Sequence, residues 1–244
     1  MCGFTGFVSR SAPPDKTALR AMGDAIRHRG PDGEGQFTDG HCGIAHRRLS
    51  ILDLEKGQQP IASPDGRYII AYNGETYNFR ELREELVAKG HSFHTDCDTE
   101  VVLHGYLEWG AEVLKKLRGM FAFVIWDREK KELFGARDPF GIKPFYYAQM
   151  GDLFFFGSEC KSFLPHPGFK KELNPNALKL YLTFQYSALN ESFFKGVYRL
   201  LPGHYLIHRD GRTQFASYHT FSFDPQPMPL EQRAAQIREV VTES

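Results

Sequence analysis

The sequence predicts an α+β fold in which helices pack in layers against antiparallel strands. Amphipathic helical patterns dominate the first half of the chain, up to about residue 117. From 119 to 162, short aromatic and β-branched runs alternate with tight turns, which is typical of antiparallel strands. The helical and strand patterns are clustered, whereas a parallel, doubly wound sheet requires them to alternate regularly.

Residues 4–8 predict a short buried strand at the start of the chain. A helix is predicted over 15–29, since Leu19, Met22 and Ile26 share one face and Gly30-Pro31 ends the pattern. Strands follow over 42–48 and 67–72. The next two helices are predicted over 76–89 and 99–117, the second weakened at Gly110. A strand pair over 205–208 and 214–218 surrounds a turn at 209–211.

The tail has a different composition. Prolines at 225, 227 and 229 indicate a linker. Leu230, Ala234, Ile237 and Val241 then lie on one face of a predicted helix that continues to Ser244 without a stop signal. We therefore expect one domain over 1–220, with 221–244 as the linker and opening helix of a second, truncated domain.

Composition excludes several classes of protein. Thirty acidic and thirty basic residues give no net charge, so nothing favours nucleic acid or a membrane surface as a partner. The longest apolar runs are too short to span a bilayer, and residues 4–8 do not form a signal-peptide core. The four cysteines (2, 42, 97 and 160) show neither CxxC spacing nor a disulfide framework, which predicts a cytoplasmic protein.

Cys2 is the first candidate catalytic residue. Removal of Met1 before so small a residue leaves one residue that carries both a thiol nucleophile and a free α-amine. The ordinary pKa values of these groups, about 8.5 and about 7.7–8.0, suit nucleophile and base near neutral pH. The alternative is a cysteine at position 2 by chance, packed as a small apolar residue.

Arg48 and the Asn73-Gly74 pair are candidate substrate contacts. A guanidinium binds a carboxylate through two parallel hydrogen bonds, although an ordinary surface arginine explains Arg48 equally simply. Asn-Gly is typical of a type I′ hairpin turn, but a helical pattern follows it and no return strand does. At a strand-to-helix corner, the Asn73 amide and the Gly74 N–H suit an oxyanion hole.

Asp98 has two interpretations that the residues alone leave open. It stands where a helix N-cap is expected, and a carboxylate there also suits the ammonium of an amino acid. The nearby spacing His91-x-x-His94-x-x-Cys97 resembles a metal site but lacks a fourth ligand, so no metal is expected. Lys143 lies in a turn-rich corner and is expected to be structural.

Six ordered motifs together carry a family resemblance. They are Met1-Cys2-Gly3, Arg29-Gly30-Pro31-Asp32-Gly33, Arg48-Leu49-Ser50-Ile51, Asn73-Gly74-Glu75, Gly119-Met120-Phe121-Ala122-Phe123 and Arg137-Asp138-Pro139-Phe140-Gly141. Over roughly residues 1–220 the chain resembles the N-terminal glutaminase domain of glutamine-dependent asparagine synthetase, a class II, N-terminal-nucleophile amidotransferase. The resemblance implies a four-layer αββα sandwich with two antiparallel sheets.

The resemblance also implies roles for individual residues. Cys2 would be the nucleophile, and Asn73 and Gly74 the oxyanion hole. Arg48 would bind the glutamine carboxylate, assisted by backbone groups of Leu49, Ser50, Ile51 and Leu52. Glu75 and Asp98 would fix the substrate, with Asp98 at its ammonium. The hydrolysis would proceed through a γ-glutamyl thioester and release glutamate and ammonia.

The resemblance further implies a synthetase domain, in cis or in trans, that uses ATP and Mg²⁺ to convert aspartate to asparagine. No Ser-Gly-Gly-x-Asp-Ser phosphate loop occurs in the 244 residues, so no cofactor is expected in this chain. A homodimer is a further expected arrangement. Two alternatives stay open: the glutaminase domain of another class II amidotransferase, and a catalytically silent interaction module.

Overall fold

The computed structural model describes residues 2–187 and 189–243, and its strands form two antiparallel sheets. In chain order the strands are β1 (Gly3–Ser9), β2 (Gly33–Thr38), β3 (Cys42–Arg48), β4 (Ile61–Ala62), β5 (Tyr68–Thr76), β6 (Gly119–Asp127), β7 (Glu132–Arg137), β8 (Tyr146–Met150), β9 (Leu153–Gly157), β10 (Val197–Arg199), β11 (His204–Arg209) and β12 (Arg212–Ser217). The first sheet has the order β10-β8-β9-β1-β3-β2, and the second β12-β11-β7-β6-β5-β4.

Within the ranges that the structure describes, six helices accompany the sheets. They are α1 (Lys16–Asp24), α2 (Phe79–Ala88), α3 (Asp98–Trp109), α4 (Val113–Lys116), α5 (Pro175–Phe184) and α6 (Leu230–Glu243). Of these, α1, α2 and α3 pack on the outer faces of the sheets. Short 3-10 turns occupy Arg27–Arg29, Gly110–Glu112 and Cys160–Phe163.

Three apolar layers hold these elements together. Between the sheets, Phe4 of β1 packs in one buried cluster with Ala71 of β5 and Val124 of β6. On the outer face of the first sheet, α1 contributes Leu19 and Met22 to a second cluster. A third cluster joins α2 and α3 to the second sheet. The layer order is αββα, which confirms the predicted four-layer sandwich.

The helix predicted over 15–29 is shorter in the structure. Asp15 caps it by accepting hydrogen bonds from the N–H groups of Thr17 and Ala18. The regular helix ends at Asp24, and Ile26 N–H donates to Gly23 O at 3.1 Å. Bonds of this i to i−3 type tighten the final turns into the 3-10 form, and side-chain periodicity does not reveal them.

The most consequential difference concerns β5. The sequence predicts a strand that ends at residue 72 and a helix that begins at 76. Instead, β5 pairs with β6 from Tyr68 to Thr76, and α2 begins only at Phe79. Asn73 and Gly74 therefore lie inside a strand, so the strand-to-helix corner was placed too early. The expectation that they do not form a hairpin turn is confirmed.

The predicted weakness at Gly110 is confirmed. The helix predicted over 99–117 is interrupted there, where Gly110 adopts a positive φ of 57°. The sequence patterns did not predict α5 or strands β2, β4 and β10. Two of these strands have only two or three residues, and β2 contains two glycines, so their strand patterns are weak.

The C-terminal helix α6 is formed as predicted. Its apolar positions are exposed: Leu230 by 81%, Ile237 by 60% and Val241 by 68%. Among the described residues, no helix is both long and apolar enough to cross a membrane.

Candidate active site

A narrow cavity opens at the end of the sandwich where β1 begins. Along β1, Phe4 and Val8 point between the sheets, and Cys2 precedes them with the same alternation. The cavity has a volume of about 40 Å³, enough for about three water molecules. Its lining is drawn from both sheets and from α3: Cys2, Arg48, Leu49, Ile51, Leu52, Gly57, Gln59, Tyr72, Gly74, Glu75, Cys97, Asp98 and Thr99.

The Cys2 thiol is held by the backbone of Leu49. Sγ donates to Leu49 O at 3.5 Å and accepts from Leu49 N–H at 3.4 Å. Burial raises the pKa of the thiol, against the opposing effects of the Leu49 N–H and the Arg48 charge. The thiol is therefore protonated near neutral pH and requires a base. The predicted base arises by removal of Met1, which lies outside the described residues.

The Cys2 backbone is fixed by Arg29. Arg29 Nε donates to Cys2 O at 3.0 Å, and Nη1 pairs with Glu159 at 3.0 Å. Arg29 Nη2 is buried without a hydrogen-bond partner. Gly30 follows because a Cβ there would lie 2.3 Å from the carbonyl carbon of Arg47 in β3. The Arg-Gly pair thus brings a guanidinium against the nucleophile strand.

Arg48 reaches the cavity but also contacts the adjoining loop. Its guanidinium donates to the carbonyls of Leu52 at 2.9 Å and Leu54 at 3.2 Å, and also to that of Asp53. The side chain is 3% exposed, so the interpretation as an ordinary surface arginine is wrong. To bind a carboxylate with its planar fork, Arg48 must release some of these carbonyls.

Of the four residues after Arg48, three line the cavity and one does not. Leu49, Ile51 and Leu52 line the cavity, whereas Ser50 does not. Ser50 N–H instead donates to Asp32 Oδ2 at 2.9 Å. This contact anchors the loop to the segment that carries Arg29.

Asn73 and Gly74 come from the second sheet. Asn73 is 1% exposed and does not itself line the cavity, and its Nδ2 donor is buried without a partner. Gly74 lines the cavity directly. A Cβ at Gly74 would lie 2.4 Å from Met120 O, so the close approach of β5 and β6 requires glycine.

Two carboxylates, Asp98 and Glu75, meet in the same cavity. Asp98 is the first residue of α3, and Cys97 occupies the N-cap position. Asp98 Oδ2 instead accepts from Thr76 N–H at 2.9 Å, so the N-cap interpretation is wrong. Burial raises the pKa of Asp98, and burial together with the charge of Asp98 raises that of Glu75. A cation placed between the two carboxylates would stabilise their charged forms and lower both pKa values.

Several residues at the site were not singled out from the sequence. Gln59, Tyr72 and Thr99 line the cavity. Lys143 is 2% exposed; burial lowers the pKa of its ammonium, and the charges of Glu75 and Cys2 act on it. Lys143 does not line the cavity, and the expectation that it is structural stays a prediction. No local pattern reveals Gln59, Tyr72 and Thr99, because each reaches the cavity only through the packing of the sheets.

The spacing His91-x-x-His94-x-x-Cys97 does not gather into a cluster. His91 Nδ1 lies 3.0 Å from His104 Nδ1, and Cys97 Sγ lies 2.9 Å from Thr95 Oγ1. Within residues 2–187 and 189–243, no three side chains of the His, Cys, Asp or Glu type are grouped as metal ligands.

The sequence is similar to a known protein family and to several curated proteins. A family model described as a glutamine amidotransferase domain matches residues 1–219. The glutamine-hydrolysing asparagine synthetase 1 of Bacillus subtilis is 42% identical over 250 residues, covering 100% of this chain and 39% of that protein. Synthetase 3 of the same organism is 39% identical and covers 92% of this chain and 38% of that protein. The chain therefore spans less than half the length of these relatives.

A solved structure shares the fold. The glutamine phosphoribosylpyrophosphate amidotransferase of B. subtilis, complexed with ADP and GMP, superposes with a TM-score of 0.64 at 20% identity. The match covers 90% of this chain and 50% of that one. At this identity the likeness extends to the architecture of two sheets between helices.

Proposed function

Since the chain belongs to the glutamine amidotransferase domain family, we propose that it hydrolyses the side-chain amide of glutamine, with Cys2 as the nucleophile. One observation carries the assignment of the site. A single cavity joins the Cys2 thiol to the glycine of β5, to Arg48 and to two carboxylates. These groups match the amide, the carboxylate and the ammonium of one glutamine molecule.

The chemistry follows from the environment of the thiol. The Cys2 thiol gives its proton to its own α-amine, and sulfur attacks the amide carbon. The oxyanion accepts hydrogen bonds from the Gly74 N–H and the Asn73 amide. The protonated α-amine passes its proton to the departing nitrogen, which leaves as ammonia. Water, deprotonated by the same amine, then cleaves the γ-glutamyl thioester to glutamate and restores the thiol.

Substrate binding requires a movement of the loop after Arg48. The guanidinium of Arg48 already donates to the carbonyls of Leu52, Asp53 and Leu54. Of these three loop residues Leu52 lines the cavity, and release of the carbonyls would free the guanidinium for the glutamine carboxylate. Asp98 and Glu75 would receive the ammonium at the opposite side.

The fate of the ammonia is a further part of the proposal. The similarity to asparagine synthetases supports transfer to a synthetase domain, in cis or in trans, that consumes ATP and Mg²⁺ to amidate aspartate. Residues 221–244 would lead into such a domain. A homodimer and a cytoplasmic location are proposed with it; the four free cysteines fit a reducing compartment.

A direct assay of glutamate formation from glutamine tests the function. We expect hydrolysis by the purified chain, loss of it in Cys2→Ala, and retention in the control Cys160→Ala, whose thiol does not line the cavity. Intact-mass measurement of the active protein should show that Met1 is absent. Hydrolysis by Cys2→Ala at the wild-type rate would refute the nucleophile assignment.

A further inference from the structure

The edge of the second sheet is open beside the active site. Strand β4 pairs with β5 only at Ile69 and Ile70, while β5 continues to Thr76. Along an antiparallel strand, the backbone groups of successive residues point alternately to its two neighbours. Tyr77 N–H bonds Arg118 O next to β6, whereas Tyr68 O accepts from Ser63 N–H next to β4. The backbone groups of even-numbered residues of β5 therefore point to the side of β4, and beyond Ile70 this edge of β5 has no partner strand in the described part of the chain.

Side chains replace the missing strand at this edge. Tyr72 N–H donates to Gln59 Oε1 at 2.7 Å, and Tyr72 O lies 3.0 Å from His46 Nε2. Thr76 N–H donates to Asp98 Oδ2 at 2.9 Å. Between them, the Gly74 N–H has no hydrogen-bond partner among the described residues and faces the cavity. The edge is thus closed on both sides of one free donor.

The contact of His46 also joins the two sheets. His46 lies on β3 of the first sheet, paired with Phe4 and two residues before Arg48. Its partner Tyr72 lies in the second sheet. Most of the other side chains buried between the sheets are apolar, and such contacts are non-directional. A buried hydrogen bond is directional, so it fixes how the sheet that carries Cys2 sits against the sheet that carries Gly74.

We propose that His46 and Gln59 are positioning residues for amide hydrolysis: they hold the two peptide groups on either side of Tyr72 and thereby aim the Asn73 and Gly74 donors at the carbon attacked by Cys2. The inference rests on the proposed function. A second anchor supports Gln59, because its Nε2 donates to Thr99 Oγ1 at 3.2 Å. The side chain thus links β5 to the N-terminal turn of α3, which carries Asp98.

His46 acts through geometry and not through proton transfer. A carbonyl only accepts hydrogen bonds, so Nε2 carries the proton and Nδ1, which is buried without a partner, is bare. The ring is 1% exposed and does not line the cavity. Burial lowers its pKa to about 4, and the charge of Arg48 acts in the same direction. The imidazole is therefore neutral throughout the range in which Cys2 and its α-amine titrate.

Paired variants at each position test the proposal. His46→Met removes the donor at similar size, whereas His46→Gln places an amide N–H near the position of Nε2. Gln59→Met removes the acceptor, whereas Gln59→Glu retains it. Ile44→Met, on the same face of β3, is the control for altered packing. For each, kcat and KM for glutamine are measured together with inhibition by an aldehyde analogue of glutamine, which forms a tetrahedral adduct with the thiol.

We expect both methionine variants at positions 46 and 59 to lose at least about tenfold in kcat and in affinity for the aldehyde, because misaimed donors act on the tetrahedral state. For His46→Met, whose side chain does not line the cavity, KM should change less than about twofold, since equal ground-state binding is retained. His46→Gln should recover most of the loss, and Gln59→Glu only part of it, because it keeps the acceptor for Tyr72 N–H but loses the donor to Thr99 Oγ1. The shape of the pH profile should stay unchanged in the His46 variants.

Three results would overturn the proposal: unchanged kcat in a folded His46→Met protein, equal losses in His46→Gln and His46→Met, or an equal loss in Ile44→Met. Amide hydrogen exchange separates this inference from the function itself. If the wild-type chain fails to hydrolyse glutamine, the proposed function falls. Unchanged exchange at residues 72–76 in the methionine variants would then show independently that His46 and Gln59 do not hold this edge.

Discussion

Replacing Gly74 by alanine introduces one methyl group at the point where β5 passes closest to β6 beside the cavity. The new Cβ would lie 2.4 Å from Met120 O and 2.8 Å from both the Phe121 Cα and the Tyr72 hydroxyl. Two of these three atoms belong to the backbone of β6, so the clash cannot be relieved by rotating a side chain. The strand itself must move.

The size of the movement sets the expected effect. Real Cβ contacts seldom fall below about 3.4 Å, so β5 and β6 must separate locally by about 1 Å. Overpacking of this kind costs about 1–3 kcal/mol of the free energy of unfolding. For a chain of this size, that lowers Tm by about 2–12 °C. A misplacement of about 1 Å in a catalytic donor costs about 100-fold in rate.

The assay compares kcat, KM and Tm for Gly74→Ala with those of Gly40→Ala. Gly40 is a suitable control because a Cβ there has no atom within 4 Å. We expect kcat to fall about 100-fold in Gly74→Ala with little change in KM, and Gly40→Ala to behave as wild type. A Gly74→Ala protein with lowered Tm and wild-type kcat would refute the placement of the oxyanion donor at this position.

Three further predictions follow from the site and the tail. Arg48→Lys should raise KM for glutamine by at least about tenfold, because an ammonium cannot form two parallel bonds to a carboxylate; an unchanged KM in steady-state assays would remove Arg48 from substrate binding. Asp98→Asn should raise KM at neutral pH without lowering Tm. Burial raises the pKa of Asp98, so the charged carboxylate lowers the free energy of unfolding above that pKa. The free energy of unfolding of the wild type should therefore rise as the pH falls through the pKa of folded Asp98. Because protonation of Asp98 removes the charge that binds the ammonium, KM should rise as pH falls in the wild type, and this trend should be weaker in Asp98→Asn. A lower Tm in that variant would contradict the expectation that the charged carboxylate destabilises the fold. Amide hydrogen exchange should find α6 weakly protected, because its apolar positions are exposed; strong protection in a monomer would place this helix within the glutaminase domain.

The elements that local patterns predicted well are those whose formation is decided locally. The strand at β3 has the predicted bounds, Cys42–Arg48, and the N-terminal strand differs by one residue at each end. The interruption at Gly110 was also predicted, because a positive φ is a property of one residue. The first helix was overestimated, since a 3-10 turn and an α-helix share nearly the same periodicity over one turn.

The candidate site was predicted residue by residue but not as a geometry. Cys2 and Arg48 lie in the motifs, Asp98 received its role from the family resemblance, and all three line one cavity. The contacts of Arg48 with the loop after β3 were not predicted, nor was the bond from Thr76 to Asp98. Such contacts depend on how a loop folds back or on which helix begins beside which strand, and neither leaves a periodic trace in the sequence.

By itself, the sequence determined the class of fold, the thiol at position 2 and the motifs that surround it, because residue type and spacing carry that information. Only the tertiary structure decided that β5 extends through Asn73 and Gly74, that β4 leaves its edge open, and that His46 and Gln59 close it. The bond between His46 and Tyr72 spans 26 residues and two sheets. Its partners meet only after both sheets have formed and packed, which is why no pattern within either strand predicts it.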